Sequence, residues 1–458
     1  MDKLNGLKRE YGGFVVFCIV VGFIVGTGVF WRGGRVLYEV SGRLYMGVLA
    51  WVLGGVIISG CVMMFATMAA RYERLHGMVD YAEELVSARY GFLCGWFFAV
   101  MYQAAGYAII AWISASFTAA LMGHHDVIGS WFVFLLAGFY MLFMAVFNYM
   151  MNKWPMRFNV ITTVLRLIPL VVMGIFGIGL FIAGTRLDYV DMGVVSGYMG
   201  EGVAPPSFMG AIFATVFAYN GWQAAVAFNS EVVNGKKRLP RALIFGFLFV
   251  VVIYVMYFVG VVLSGDAYGL MVNNQLGTRL AFSNAFGHGA GDWLMAFVIM
   301  SGLGILNACC MGMSRSLYAV ARRGGGRGAK WLSSLRRSMV VCVIVSFLWL
   351  MVIYGNWHGW FGEVMGYRFR FELPDFYNMM FFVLIMPIFV GFIRRHRGDM
   401  ELSLFRRAIL PVMAVMGAGF MVFAQFMASL THAVVYALAF VVLGVIGFVL
   451  KHVDREDI

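Results

Sequence analysis

The sequence predicts an all-α integral membrane protein with about 12 transmembrane helices. Composition is the first reason: 62% of the 458 residues are hydrophobic and 12% are charged, against about half apolar and a quarter charged in a soluble domain. Apolar runs long enough to cross a bilayer recur along the whole chain, and Lys and Arg are almost confined to short segments between them. A bilayer core takes roughly 20 apolar residues per helix. The runs lie at about 12–31, 44–70, 92–121, 131–150, 158–183, 208–230, 242–264, 292–318, 339–355, 374–393, 408–427 and 433–450.

The placement of charge decides what the net charge of +12 means. With the N-terminus in the cytoplasm, the large majority of the 34 Lys and Arg residues fall on the inner side, as the positive-inside rule requires. The expectation is a multi-pass protein of the plasma membrane with both termini cytoplasmic, a lipid bilayer as its surroundings and no nucleic-acid partner. Arg32, Arg35 and Arg43 run against the rule in the first outer connection, and Arg166 and Arg315 lie within spans. Lys3, Lys8 and Arg9 precede a first run without an A-x-A-like cleavage site, which reads as a retained span. The six cysteines all sit in apolar runs without a CxxC, so neither a disulfide framework nor a metal site is expected. GGGRG at 324–328 lacks the strand and GK[ST] ending of a phosphate loop, and VDREDI at the C-terminus reads as a solvated tail. No connection is long enough for a soluble domain, so residues 1–458 form a single transmembrane unit.

Two spans carry internal breaks. Gly26-Thr27-Gly28 sits at mid-depth in the first; each glycine weakens a helix by about 1 kcal/mol, and lipid offers no water to the backbone groups a break would free. Close helix packing through small residues is the alternative use of such glycines. The sixth span is interrupted by Phe217-Ala218-Tyr219-Asn220-Gly221-Trp222. Spans one and six hold the same position in the two halves of a five-plus-five arrangement, with repeats at about 12–183 and 208–393 and additional helices over 408–450. Inverted-repeat membrane proteins place their small-molecule site between two such discontinuous helices. N–H groups freed after a break can receive a carboxylate and C=O groups freed before it an ammonium, so paired breaks suit a zwitterion.

Four ordered motifs then match a known family. Gly26-Thr27-Gly28-Val29-Phe30 resembles its G-[ST]-G-[IV]-F signature, and WVLGG from Trp51 to Gly55 the start of its second span. FAYNGW from Phe217 to Trp222, followed by Ser230-Glu231 and Arg238-Leu239-Pro240-Arg241, resembles its sixth span; GILNACCMGMSRSLYAVARRG resembles its eighth. The family is the amino acid–polyamine–organocation superfamily of amino-acid permeases, and the pattern leans toward L-type and bacterial neutral amino-acid exchangers.

The resemblance implies a five-plus-five inverted-repeat (LeuT-like) fold plus two C-terminal helices, alternating access, an amino-acid substrate and no cofactor. Carried over by position, the amides of Thr27 and Gly28, beside Gly26, would hold the substrate carboxylate, and the carbonyls of Ile24, Phe217 and Asn220 its amino group. Phe217 falls at the family's aromatic gate, within the break that also contains Ala218 and Gly221. Trp222 and Gln223 would border the side-chain pocket, with Tyr102, Asn307 and Cys309 as further candidates; packing is the alternative role for each aromatic. The family's glutamate at the end of the second span is absent from Phe65-Ala66-Thr67, and its following motif survives only as Gly77-Met78-Val79-Asp80-Tyr81.

Arg166 is the charge deepest in a span, and a charge there costs at least ~2.5 kcal/mol on insertion scales. Relatives often carry lysine here as a stand-in for a sodium ion, so Arg166 is the candidate cation surrogate. Glu231, Asp266, Asp292 and Asp375 all lie at span ends, and no acid falls mid-span. Sodium-independent exchange of neutral amino acids is therefore expected of a secondary transporter of this pattern; a cationic amino-acid or polyamine antiporter and a proton-coupled symporter are the alternatives. The eight histidines lie in loops or at span ends and no HExxH occurs, which speaks against a membrane enzyme, and no repeated filter speaks for a channel. A non-transporting sensor, an accessory subunit and homo-oligomerisation are left open by the sequence.

Overall fold

The computed structural model describes residues 9–72, 77–124, 129–151, 153–185, 190–199, 206–272, 274–323, 327–364, 367–368, 371–428 and 430–456. Each apolar run folds as a helix because backbone groups in lipid have only one another to bond. The first crossing is split into α1 (Gly13–Ile24) and α2 (Gly28–Glu39). Next come α3 (Leu44–Arg71), the short α4 (Gly77–Leu85), and α5 (Ala88–Trp96), which runs through a π-helical turn (Phe97–Tyr102) into α6 (Gln103–Leu121). Then follow α7 (Trp131–Met150), α8 (Trp154–Ile182) and the short α9 (Met192–Met199). The sixth crossing is split into α10 (Phe208–Tyr219) and a 3₁₀ segment (Trp222–Glu231). Beyond it lie α11 (Gly235–Ser264), α12 (Ala267–Val272), α13 (Asn274–Phe286), α14 (Ala290–Ala321), α15 (Arg327–Leu332), α16 (Leu335–Trp357) and α17 (Leu373–His396). A π-helical turn (Phe405–Ile409) leads into α18 (Leu410–Ala428), and α19 (Leu430–Glu456) ends the described chain.

Eleven helices among the described residues are long and apolar enough to cross a membrane; the remaining expected crossing, over 208–230, is the one divided between α10 and the 3₁₀ segment. The structure corrects several local expectations. Arg32 and Arg35 lie on α2 and not in a connection, and Arg35 pairs there with Glu39 at 2.6 Å. The connections after the fifth and seventh crossings hold the short helices α9, α12 and α13, and a two-residue antiparallel pair, Glu363–Val364 with Tyr367–Arg368, follows α16. The expected C-terminal tail continues α19 as far as Glu456. Of GGGRG, residues 324–326 lie outside the described residues, and Arg327 opens α15.

The two broken helices occupy the middle of the bundle. α1 packs on α8, α11, α14 and the 3₁₀ segment, while α2 packs on α10, α12 and α13. α3 and α11 form the wall behind them, and α18 and α19 lie outside, against α3, α5 and α17. Behind the breaks, Trp51 meets Tyr219 and Tyr254 edge-on at 5.4 and 5.6 Å, and the Tyr219 hydroxyl donates to the Trp51 carbonyl at 3.0 Å. This gives WVLGG a packing role. α8 and α11 cross with backbones in contact: a Cβ on Gly177 would lie 2.2 Å from Gly260 Cα, a close approach that membrane helices make through small residues. Phe139, Leu142, Ile175, Phe181, Val441 and Val445 are exposed on the outer surface, where lipid covers them.

Gly221 joins the two broken helices. Its φ of +112° turns the chain between α10 and the 3₁₀ segment, and a Cβ there would sit 2.1 Å from the Phe23 carbonyl oxygen. Gly221→Ala is expected to lose at least about 1–2 kcal/mol from the left-handed backbone alone, and more from the clash. The check is a lower melting temperature for the purified protein in detergent, or failure to accumulate folded protein.

Candidate functional site

Breaking α1 at Ile24 frees carbonyls that have no partner along the helix, and one side chain takes up two of them. Arg166, reaching in from α8 and 1% exposed, donates through Nη1 to the carbonyls of Gly22 and Val25, both at 2.7 Å. Its Nε and Nη2 are satisfied on its own helix by the Thr162 carbonyl and Oγ1, each at 3.0 Å. A positive group at the C-terminal end of α1 complements the helix dipole. The Ile24 carbonyl accepts from the Tyr254 hydroxyl at 3.1 Å, which leaves it one further lone pair. On the other side of the break, α2 begins at Gly28 with Thr27 as its cap residue, so the amides there form the positive end of a 12-residue helix.

A cavity of about 80 Å³ lies against both breaks. Of the residues expected to bind substrate, Ile24, Gly26, Thr27, Gly28, Tyr102, Ala218, Asn220, Gly221 and Cys309 line it. Gln223 stands just behind: its amide nitrogen donates to the Tyr102 hydroxyl and, at 3.1 Å, to Asn220 Oδ1. Its Oε1 accepts from the Gly221 amide at 3.1 Å. Asn220 in turn donates to Asn378 Oδ1 on α17. This chain of amides and a phenol ties the third, sixth and tenth crossings together around the cavity.

The structure places two expected residues away from it. Asn307 has its side chain occupied as a strut, donating to the Pro155 carbonyl at 2.8 Å and accepting from Asn148 Nδ2 at 3.0 Å. Trp222 is buried edge-on against Phe65 at 5.0 Å and near Phe381 at 5.8 Å, in the wall and not at the lining. The backbone of Phe217 belongs to α10, and its side chain lies outside the described residues. The structure adds Phe23, Gln103, Gly106, Ile110, Ile305 and Tyr377 to the lining. Sequence carried two usable signals for these, the amide of Gln103 in mid-span and the Tyr377-Asn378 pair; the π-helical turn that brings Tyr102 and Gln103 to the cavity has no glycine or proline to announce it. π-helical turns recur at functional sites.

The cavity is closed unequally. Toward the face where the described chain begins, Tyr11 pairs as a single parallel bridge with Val232 and its amide donates to the Glu231 carbonyl at 3.1 Å; the Glu231 carboxylate accepts from Arg315 Nε at 2.6 Å and Nη2 at 3.0 Å. Burial, followed by the charge of Glu231, pushes the Tyr11 phenol well above its ordinary range, so it stays a proton donor. Arg323 at the end of α14 holds Asp80 and, at 2.8 Å, Glu83 of α4. Toward the opposite face a vestibule of about 600 Å³ includes Glu39, Ser207, Gly210, Asp375 and Asn378 in its lining. The Asn220–Asn378 hydrogen bond thus separates vestibule from cavity.

The fold and this site define a multi-pass membrane transporter of the five-plus-five inverted-repeat type with two additional C-terminal helices. The chain matches the amino acid permease family over residues 11–449 and belongs to it; it is a permease and not an enzyme. It is 28% identical over 424 residues to the serine/threonine exchanger of Bacillus subtilis (strain 168), covering 91% of each chain. It is 21% identical to the b(0,+)-type amino acid transporter 1 of Mus musculus, over 98% of this chain and 89% of that one. Among solved structures it resembles Mhp1, a nucleobase-cation-symport-1 family transporter in a closed conformation with bromovinylhydantoin bound. The TM-score is 0.56 at 16% identity, covering 94% of this chain and 96% of that one, which supports the fold alone.

Two substitutions test the site's construction. Arg166→Met leaves the Gly22 and Val25 carbonyls without their donor, a loss of about 2–3 kcal/mol or more for a buried charge-assisted pair, so a lowered melting temperature and lost transport are expected; Arg166→Lys should keep part of both. Gly106 faces open space, with no atom within 4 Å of a Cβ placed there. Gly106→Leu should therefore leave the melting temperature within a few degrees of wild type while amino-acid transport is lost to occupancy of the cavity.

Proposed function

We propose that this permease exchanges small neutral amino acids without sodium, by alternating access in the plasma membrane, with both termini in the cytoplasm. The observation that carries this reading is the cavity itself. Its roughly 80 Å³ includes no Asp, Glu, Lys or Arg among the described residues of its lining, and at about 10–15 Å³ of probe volume per water it has room on the order of half a dozen heavy atoms. That is the scale of the smallest amino acids. The substrate carboxylate would lie at the Thr27 and Gly28 amides, and its ammonium near the Ile24, Phe217 and Asn220 carbonyls, with Phe217 as the gate.

Sodium independence is supported by Arg166. Its guanidinium occupies the Gly22 and Val25 carbonyls, and an arginine does not release its proton at ordinary pH. Exchange is supported by the Bacillus subtilis relative, an exchanger by name. The orientation rests on the surplus of Lys and Arg on the side where the chain begins. In that orientation the Tyr11–Glu231–Arg315 and Asp80–Arg323–Glu83 groups form the cytoplasmic closure and the vestibule opens outward. The two repeats, 12–183 and 208–393, would contribute one broken helix each.

The test is uptake of labelled amino acids into proteoliposomes with and without internal unlabelled amino acid. Strong stimulation of serine, alanine or threonine uptake by internal substrate, indifferent to imposed sodium and pH gradients, is the expected result. Uptake into empty vesicles that follows either gradient would overturn the exchange reading, and uptake of arginine or polyamines alone would overturn the neutral one.

A further inference from the structure

One wall of the cavity carries a polar group that the structure leaves unanswered. Gln103 opens α6 directly after the π-helical turn, lines the cavity and is only 3% exposed. Its Oε1 accepts from Ser316 Oγ on α14 at 2.7 Å, whereas its Nε2 has no hydrogen-bond partner among the described residues. Were the amide turned the other way, Ser316 would meet the nitrogen and the oxygen would be left. Either way one end of a buried carboxamide is unsatisfied, an arrangement that native interiors avoid unless something else supplies the partner.

The surroundings narrow what that partner is. Gly106, one turn along the same helix, leaves open space, and Ile110, Ile305 and Cys309 complete an otherwise apolar wall. The other polar side chains of the lining are Thr27 at the first break, the Cys309 thiol, the Tyr377 hydroxyl, and groups in hydrogen bonds: Tyr102, which accepts from Gln223, and Asn220, bonded to Gln223 and Asn378. Among the described residues of the lining, Gln103 is thus the one side-chain amide with an unpaired end. A hydroxyl can both donate and accept, so it satisfies either orientation of the amide; a charged side chain would find no counter-charge in the lining.

We propose that Gln103 reads the substrate's side chain and selects short hydroxyl-bearing amino acids over apolar ones of the same shape. This rests on the small neutral substrate proposed above and adds to it the residue that discriminates within that class. A site built to hydrogen-bond a hydroxyl discriminates against the analogue lacking it, because its own polar group is then left unpaired.

The experiment uses the full chain in proteoliposomes and compares two near-isosteric pairs, threonine with valine and serine with alanine, by exchange kinetics. Wild type is expected to favour the hydroxyl member of each pair by about tenfold in kcat/KM, the scale of one buried hydrogen bond. Gln103→Met, close in shape, should bring both ratios near one by raising KM for serine and threonine while alanine and valine are little changed. Ser316→Ala, which removes only the supporting bond, should keep the ratios. Should Gln103→Met fail to fold, Gln103→Asn withdraws the amide by one methylene and should also lower them. Unchanged ratios in a folded, active Gln103 variant overturn the proposal, as does a wild type that exchanges all four substrates equally. That last result leaves small neutral exchange standing, whereas absence of exchange for all four overturns the underlying reading as well.

Discussion

The site depends on a single guanidinium placed at the end of half a helix. A helix cannot stop in the middle of a bilayer unless its last carbonyls are bonded, and Arg166 bonds two of them, Gly22 and Val25, from the neighbouring α8. The arginine is itself admissible there because the carbonyls, the dipole end of α1 and Thr162 together replace the water it has lost. Each half of the arrangement is costly alone and stable with the other. With α1 stopped, α2 can start afresh at Gly28, so that an amide terminus faces the interior of the protein where a continuous helix would present only side chains.

The second break is arranged differently. Among the described residues no charge serves it; Gly221 turns the chain onto the Phe23 carbonyl, and the amide of Gln223, itself bonded to the amide of Asn220, accepts from the freed Gly221 N–H. Because those amides continue to Tyr102 and Asn378, the second break is joined to the third and tenth crossings by hydrogen bonds and to the first by backbone contact. The boundary of the cavity toward the vestibule is thereby a neutral hydrogen bond, while the opposite side is held by partly buried ion pairs through Arg315 and Arg323. A neutral amide pair parts without separating charge, whereas an ion pair parts only as both charges are rehydrated. The two closures therefore differ in what opening them requires, which is the asymmetry an alternating mechanism uses.

Much of this was legible in the sequence because lipid leaves so few choices. Composition and run length determine helices that cross the membrane, Gly26-Thr27-Gly28 and Asn220-Gly221 mark where two of them stop, and the isolated Arg166 marks a polar demand at mid-depth. These are local signals, each readable without knowing what lies across the bundle. The twelfth crossing is recoverable only by accepting the sixth run as broken, since neither α10 nor the 3₁₀ segment is long enough to count alone.

What tertiary structure decided is which side chains meet. Asn307 and Gln103 are both amides in mid-span, yet Asn307 is occupied between Asn148 and Pro155 and Gln103 faces the cavity. Nothing in either local sequence separates them, because the difference lies in helices more than a hundred residues away. The same holds for Glu231, at a span end in the sequence, and for Asp80, in the motif that follows the second span; in the fold they pair with Arg315 and Arg323. Sequence alone determined the crossings, the two breaks and the buried cation, since the bilayer imposes those demands residue by residue; only packing determined the cavity's lining, volume and closures, since each is made by side chains from helices that the chain brings together last.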